Sequence, residues 1–454
     1  MFRASVLRAV SIWAAFSSFA VLPAQQSRPA LPVGPAGTAP APGAASMLAT
    51  ERYLFVVYGG VLHQYDIDTL ALRNKVRLDA APIAAREVGV APALVVEPPA
   101  ATVAARATGM REVVDRAIDW LVRHQDEDGK WDADGFMKHD VEGDVCDGPG
   151  NAVHDVGVTG LAALALLADG NTLRAGPHMQ SLRRAIIWLK AQQQDNGLFG
   201  APASHDFIYD HAIATYAVCE AFGLSKYKAL QVVAQNGINY LEGHRNPYSV
   251  WRYQPRDNDN DSSVTAWCLL ACAAGDGFGL QVNKTALDLG AVWFDQVTDP
   301  TGRAGYSKQG ELSSRQPGDH ARRFPPENGE AITAAALLCR HVLGQSPGTK
   351  PIMKASANLL SAKPPIWQPD AGTIDEYYWY FAARALQRSG GRIWTDWSRR
   401  LGVALASSQR VDGTRAGSWD PIGVWGEAGG RVYSTAMLVM AAQATLPEAQ
   451  SATR

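Results

Sequence analysis

Two segments of this chain share a spacing that forces a repeated helical unit. Arg116, Ala117, Trp120, Leu121, Gln125, Gly129 and Trp131 are matched by Arg184, Ala185, Trp188, Leu189, Gln193, Gly197 and Phe199. Both read aromatic-Leu-x3-Gln-x3-Gly-x-aromatic. Weaker copies start at Tyr240-Leu241 and Trp293-Phe294, and degenerate ones lie near Leu359 and at Ala404-Leu405. The anchors at 120, 188, 240 and 293 recur at intervals of about 57 residues, a period that belongs to stacked supersecondary units.

Each amphipathic anchor helix precedes a second, more apolar segment. These span residues 156–168, 212–222, 263–274, 331–343, 377–387 and 433–444. Gly160-Leu-Ala-Ala-Leu-Ala-Leu-Leu167 is apolar on every face, and a helix of that kind is buried. Six outer–inner pairs closing on themselves predict an all-α, α/α toroid over residues 108–446. An open solenoid is the alternative. The 13 Trp and 42 Gly then become repeat grammar, aromatic plugs and turns between helices.

The N-terminal quarter is different in kind. Arg3 and Arg8 precede an uncharged apolar run from Ala9 to Leu22, followed by Leu22-Pro23-Ala24. A basic end, an apolar run and a small cleavage residue predict a signal peptide over 1–24. The expected protein is therefore exported, periplasmic or extracellular, with no transmembrane anchor after cleavage. Residues 25–50 and 80–107 are Ala/Pro-rich and read as linkers. Between them, Tyr53-Leu-Phe-Val-Val-Tyr58, Gly59-Gly60 and Val61-Leu-His-Gln-Tyr65 predict a small β-hairpin within residues 51–79. Residues 447–454 read as a tail.

Charge and cysteine usage exclude several classes. Lys+Arg total 42 against 44 Asp+Glu, so a nucleic-acid partner is not expected. Five cysteines is an odd number, and most lie in Ala/Leu-rich helical contexts, so buried thiols are expected rather than a disulfide framework. Neither a Gly-x-Ser-x-Gly elbow nor a phosphate-cradling Gly-x4-Gly-Lys loop is present.

The Arg116-Ala-x2-Trp-Leu-x3-Gln-x3-Gly-x-Trp131 segment matches the Gln/Trp motif of the squalene and terpene cyclases. Residues 110–446 resemble the prenyltransferase and squalene-cyclase repeat superfamily, and within it a secreted bacterial branch. The supporting segments include His154-Asp-Val-Gly-Val-Thr-Gly160, Tyr209-Asp-His-Ala-Ile-Ala214, Trp251-Arg-Tyr-Gln-Pro-Arg-Asp257 and Tyr377-Tyr-Trp-Tyr380. The resemblance implies a toroid that acts on or binds an isoprenoid or other hydrophobic molecule. Two further readings stay open: a non-catalytic ring for a ligand or protein partner, and a polysaccharide lyase or hydrolase.

The sharpest acidic cluster is Asp257-Asn-Asp259-Asn-Asp261, which heads the third inner helix. Set against the Asp-x-Asp-Asp motif of class II terpene cyclases, Asp259 and Asp261 keep the first and central acids, and Ser262 replaces the last. The resemblance makes Asp257, Asp259 and Asp261 catalytic candidates. Asp155, Asp210, Asp261 and Asp375 also sit at or near inner-helix starts, where a carboxylate caps the helix. Candidate ligand-binding residues are His211, Trp267, Tyr377, Tyr378, Tyr380, Trp419 and Arg252, supported by scattered arginines such as Arg315 and Arg431. No cofactor is required. A zinc site is sought among Cys146, His154 and Asp210, and a calcium site in the Asp257–Asp261 loop, although the latter lacks the Gly and Glu of an EF-hand.

Overall fold

The computed structural model describes residues 46–49, 53–58, 61–66, 72–77 and 100–447. The signal-peptide segment and residues 448–454 of the tail lie outside them. The chain divides into two compact units, residues 1–95 and 96–454.

The first unit contains β1 (Ser46–Ala49), β2 (Tyr53–Tyr58), β3 (Val61–Asp66) and β4 (Leu72–Arg77), antiparallel in chain order. The expected hairpin is the β2–β3 pair, in register from Tyr53 opposite Asp66 to Tyr58 opposite Val61. Two more strands extend it, β1 from the stretch expected as linker. A two-stranded hairpin is marginal in water, and flanking strands pair its open edges.

The second unit is built from helix pairs. The outer helices are α1 (Ala100–Arg123), α3 (Met179–Ala191), α5 (Lys228–His244), α7 (Lys284–Val297), α10 (Ile352–Ala362) and α12 (Gly391–Ser408). The inner helices are α2 (Asp155–Ala168), α4 (Ile208–Ser225), α6 (Ser262–Gly277), α9 (Ala331–Val342), α11 (Glu376–Ser389) and α13 (Gly426–Gln443). A one-turn helix, α8 (His320–Arg323), lies in the connection before α9. Every residue of α2 from Val156 to Leu167 is buried, as its all-round apolar pattern requires. In α3 only the face carrying Ser181, Leu182, Ala185, Ile186 and Leu189 is buried. Around the ring, α2 packs on α4, α4 on α6, α6 on α9, α9 on α11, α11 on α13, and α13 back on α2. The array is thus a closed toroid, not an open solenoid.

The Gln/Trp motif has a specific mechanical meaning. Gln125 donates from Nε2 to Gly129 O in its own turn at 2.8 Å and to Ser181 O in the next outer helix at 3.0 Å. Gln193 repeats this with Gly197 O and Val233 O, and Gln409 with Gly417 O and Val113 O. The arginine that opens the motif answers from the neighbouring repeat: Arg184 donates to Gln125 Oε1, and Arg116 to Gln409 Oε1. The indole of the second aromatic closes back on its own outer helix, Trp131 Nε1 on Leu121 O and Trp251 Nε1 on Leu241 O. Gly129 sits at φ +106, and a Cβ there would lie 2.3 Å from the Arg184 carbonyl. Only glycine fits, because it adopts positive φ and lets the turn touch the next helix.

Two boundaries differ from expectation. Helix α1 starts at Ala100, inside the predicted linker 80–107. Helix α13 starts at Gly426, before the predicted 433, with a break at Gly430 (φ 70, ψ −170) where the chain passes Gly150.

Candidate functional site

The N-terminal ends of the inner helices share one mouth of the ring, and α6 places the central acid there. Asp261 is fully buried and is the N-cap of α6, accepting from Val264 N at 2.8 Å. The cap is braced from the next connection, where Ser262 N donates to Tyr306 O and Ser262 Oγ to Gly305 O. The second carboxylate oxygen of Asp261 accepts from the Tyr306 hydroxyl at 3.2 Å, and Tyr306 is 2.5 Å from the Tyr253 hydroxyl. The Arg252 Nε lies 3.6 Å away from the same carboxylate oxygen, with its guanidinium over the rings of Tyr253 and Tyr306. Burial pushes the Asp261 carboxyl up to about 7, against the opposing pull of the Val264 amide and Arg252.

Around this acid stand Tyr209, Tyr253, Tyr306 and Tyr377, from α4, the α5–α6 connection, the α7–α9 connection and α11. Burial raises the phenol of Tyr209, with Asp261, Tyr306, Tyr253 and Tyr377 adding negative charge nearby. The rim is open to solvent: Tyr209 and Tyr253 are half-buried, and His205, edge-on to Tyr253 at 5.0 Å, is exposed. Neither Tyr253 nor Tyr306 was among the candidates. Both come from connections, where helical periodicity carries no signal. The one usable clue was that Tyr253 follows Arg252 two residues after the motif tryptophan, Trp251.

Below the mouth, aromatic side chains meet across the lumen. Trp267 of α6 stacks on Tyr380 of α11 with centroids 5.8 Å apart and planes 8° from parallel. Phe381 meets Trp267 edge-on at 5.1 Å, and Tyr377 does so at 6.5 Å. Since α9 separates α6 from α11 around the ring, these contacts cross the lumen. Ser263 Oγ donates across it to the Tyr377 hydroxyl at 3.1 Å. Grooves of ≈ 440 and ≈ 320 Å³ lie on the outer wall, lined by residues of α5, the end of α6, the α6–α7 connection and the first residue of α7.

The remaining candidates are placed as follows. Asp257 and Asp259 are exposed. Asp259 pairs with Arg252 at 2.6 Å, and Asp257 accepts from the Asp259 backbone amide. The three acids therefore do not share an enclosed cavity. His211 is fully buried in a structural role: its Nδ1 accepts from Phe199 N and its Nε2 faces Gly237 O. Burial lowers its pKa to about 3. Tyr378 points away from the lumen, donating to Lys363 O, and Trp419 Nε1 donates to Leu405 O. Asp375 caps α11 through Tyr378 N. Asp155 and Asp210 are not caps: Asp155 holds Ala133 N and Lys130, and Asp210 holds His154 at 3.1 Å. Arg315 is spent on Phe324 O and Asp375. Arg431 is spent on Asp147, Asp420 and Ser418.

The proposed zinc set comes apart in the same way. His154 and Asp210 pair with each other, whereas Cys146 lies beside His124 and Asp140. Burial, with Asp140 alongside, pushes the Cys146 thiol up to about 11. All five cysteines are free and buried. One further acid escaped sequence reasoning. Glu376, at the first turn of α11, is fully buried, accepts from Ser434 Oγ at 2.9 Å, and leaves Oε2 without a partner. Burial pushes its carboxyl up to about 7.

No protein-family model and no curated protein matches this sequence. Among solved structures, a type II terpene cyclase from Scytonema is similar at 14% identity, covering 74% of this chain and 98% of its own, with a TM-score of 0.49. An α-amylase from Clostridium perfringens is similar at 11% identity, covering 74% and 98%, with a TM-score of 0.48. An α-1,6-mannanase of Salegentibacter is similar at 9% identity, covering 74% and 98%, also with a TM-score of 0.48.

Proposed function

We propose that this chain is an exported binding ring that takes a polar, hydroxyl-rich ligand of glycan type at its tyrosine mouth. The observation that carries this reading is the Trp267–Tyr380 stack with Tyr377 and Phe381. A polyprenyl chain needs an apolar lumen of its own, and here the ring's side chains occupy that space. Above the stack lie half-buried tyrosine faces for packing against a sugar ring, and Arg252 and the phenols for its hydroxyls. Export rests on the basic–apolar–small pattern of residues 1–24.

One observation favours a second reading, in which Asp261 is a proton donor to an isoprenoid. A buried carboxyl held near neutrality beside a phenol suits general acid chemistry.

Affinity electrophoresis of the full chain in gels cast with starch, mannan, dextran or xylan separates the two. The glycan reading expects retardation by one of these polymers, lost in Tyr253→Ala and Tyr209→Ala. Saturable quenching of tryptophan fluorescence by geranylgeraniol, with no retardation by any polysaccharide, sinks it in favour of the isoprenoid reading.

A further inference from the structure

We infer that His124, Asp140 and Cys146 form a binding site for a zinc-class divalent cation at the seam between the first and sixth repeats. Their donor atoms lie within 4.8 Å of one another, and all three side chains are buried. His124 directly follows the first outer helix, and Asp140 and Cys146 bracket the loop that leads to α2.

The argument starts from the imidazole. Nδ1 of His124 is 2.7 Å from the Trp120 carbonyl oxygen, which can only accept, so Nδ1 carries the hydrogen. In the neutral ring Nε2 is then a lone pair, and it faces Asp140 Oδ1 at 3.0 Å. Two acceptors aimed at one point need a positive centre between them. A proton on Nε2 serves that one pair and leaves the nearby thiol to share the Asp140 carboxylate and a weak contact to Thr414 Oγ1 at 3.7 Å. A divalent cation serves nitrogen, oxygen and sulfur together. The Cys146 thiol gives its proton to solvent as the metal–sulfur bond forms.

The outer contacts are those that a metal ligand set uses. The Trp120 carbonyl fixes the imidazole tautomer, and Cys146 N donates to Asp140 Oδ2 at 2.6 Å and orients the carboxylate. A mixed nitrogen, oxygen and thiolate set selects zinc over calcium or magnesium. The other close acidic group, Asp132, Asp134 and Asp155, offers oxygen alone and already holds the ammonium groups of Lys130 and Lys138. The seam location gives the ion its role. Asp144, inside the same loop, accepts from Thr414 N at 2.8 Å and pairs with Arg415, both of the sixth repeat. A cation that fixes this loop to the end of α1 fastens the ring where its ends meet.

The test loads the purified, chelator-stripped full chain with cobalt(II). The expected result is a thiolate-to-cobalt charge-transfer band that zinc abolishes on displacement. In Cys146→Ser the band disappears and cobalt affinity falls by more than about 100-fold. No charge-transfer band in the wild-type chain overturns the proposal, and so does a band that survives Cys146→Ser. If that variant does not fold, peptide mapping after iodoacetamide treatment decides on the wild type. Zinc must protect Cys146 from alkylation, and full alkylation at saturating zinc overturns the site.

Discussion

Gln409, one residue beyond α12, donates from Nε2 to the Val113 carbonyl of α1 at 2.8 Å, so the last outer helix is tied to the first. The same amide also reaches Gly417 O, and its oxygen receives Arg116. Truncation to Gln409→Ala leaves the buried Gly417 carbonyl without its partner and strips the Val113 carbonyl, which also accepts within α1, of its bond to the last repeat. A buried carbonyl left unpaired costs about 1–3 kcal/mol, and each lost hydrogen bond about 1 kcal/mol. We expect a loss of about 2–4 kcal/mol in urea unfolding and faster amide exchange in α1. Exchange in α1 that stays at the wild-type rate contradicts the staple role.

The glycine of the motif should be as demanding as the glutamine. A Cβ at Gly417 would meet Arg116 O at 2.1 Å, as one at Gly129 would meet Arg184 O. Both backbones lie at positive φ. Gly129→Ala is expected to destabilise by at least about 2 kcal/mol, combining left-handed strain with overpacking. Gly170 also has positive φ (+84) but open space around it, so Gly170→Ala should cost less; a larger loss there than at 129 refutes the contact argument.

Asp261 gives the ring a pH dependence of definite sign. Its folded carboxyl holds a proton up to about 7, whereas the unfolded one releases it near an ordinary carboxylate value of about 3.9. Between these values the folded state binds more protons, so this group's contribution to stability falls as pH rises from about 4 to about 7 and is flat above. Asp261→Asn keeps an acceptor for Val264 N and removes the titration. Melting temperatures measured from pH 4 to pH 8 should decline less steeply in the variant. Glu376, also raised to about 7, retains its own part of the slope, and the double variant with Glu376→Gln should be flatter still. An unchanged profile in Asp261→Asn means that this carboxyl ionises as an ordinary one.

Trp267→Ala should uncouple the lumen from the mouth. Removing the indole that stacks on Tyr380 and meets Phe381 is expected to cost about 3–5 kcal/mol. The cavity so formed is apolar, and an apolar dye that the wild-type ring excludes should enter it with enhanced fluorescence. Equal dye binding by both chains speaks against a filled lumen.

The ring itself was legible because its grammar is local. Trp120, Gln125 and Gly129 fall within one helix and its turn, so a linear spacing records a three-dimensional staple. The all-apolar inner helices were legible for the same reason. The cap at Asp261 followed from its place before an apolar helix, but the burial that alters its acidity depends on Tyr306, 45 residues away. His211 looked like a rim ligand because it is polar and near a helix start. In three dimensions it stands where Thr159, Thr265 and Thr435 stand in their repeats, accepting from Phe199 N as they accept from Trp131, Trp251 and Trp419 N, and its Nε2 faces Gly237 O. The His124, Asp140 and Cys146 group has no recognisable spacing, since an outer helix end and an irregular loop supply it. Chemistry drawn from connections cannot be read from periodicity, which is why Tyr253 and Tyr306 also escaped.

The return of α13 onto α2 changes how this protein must unfold. An open array of repeats can melt from either extremity, one unit at a time. Here each inner helix has two neighbours, so there is no cheap place to begin. The first rupture has to break two interfaces at once and converts a loop into an arc with two raw flanks. Opening should therefore be slow and all-or-none, and a cut between repeats should cost far more cohesion than the contacts it severs directly.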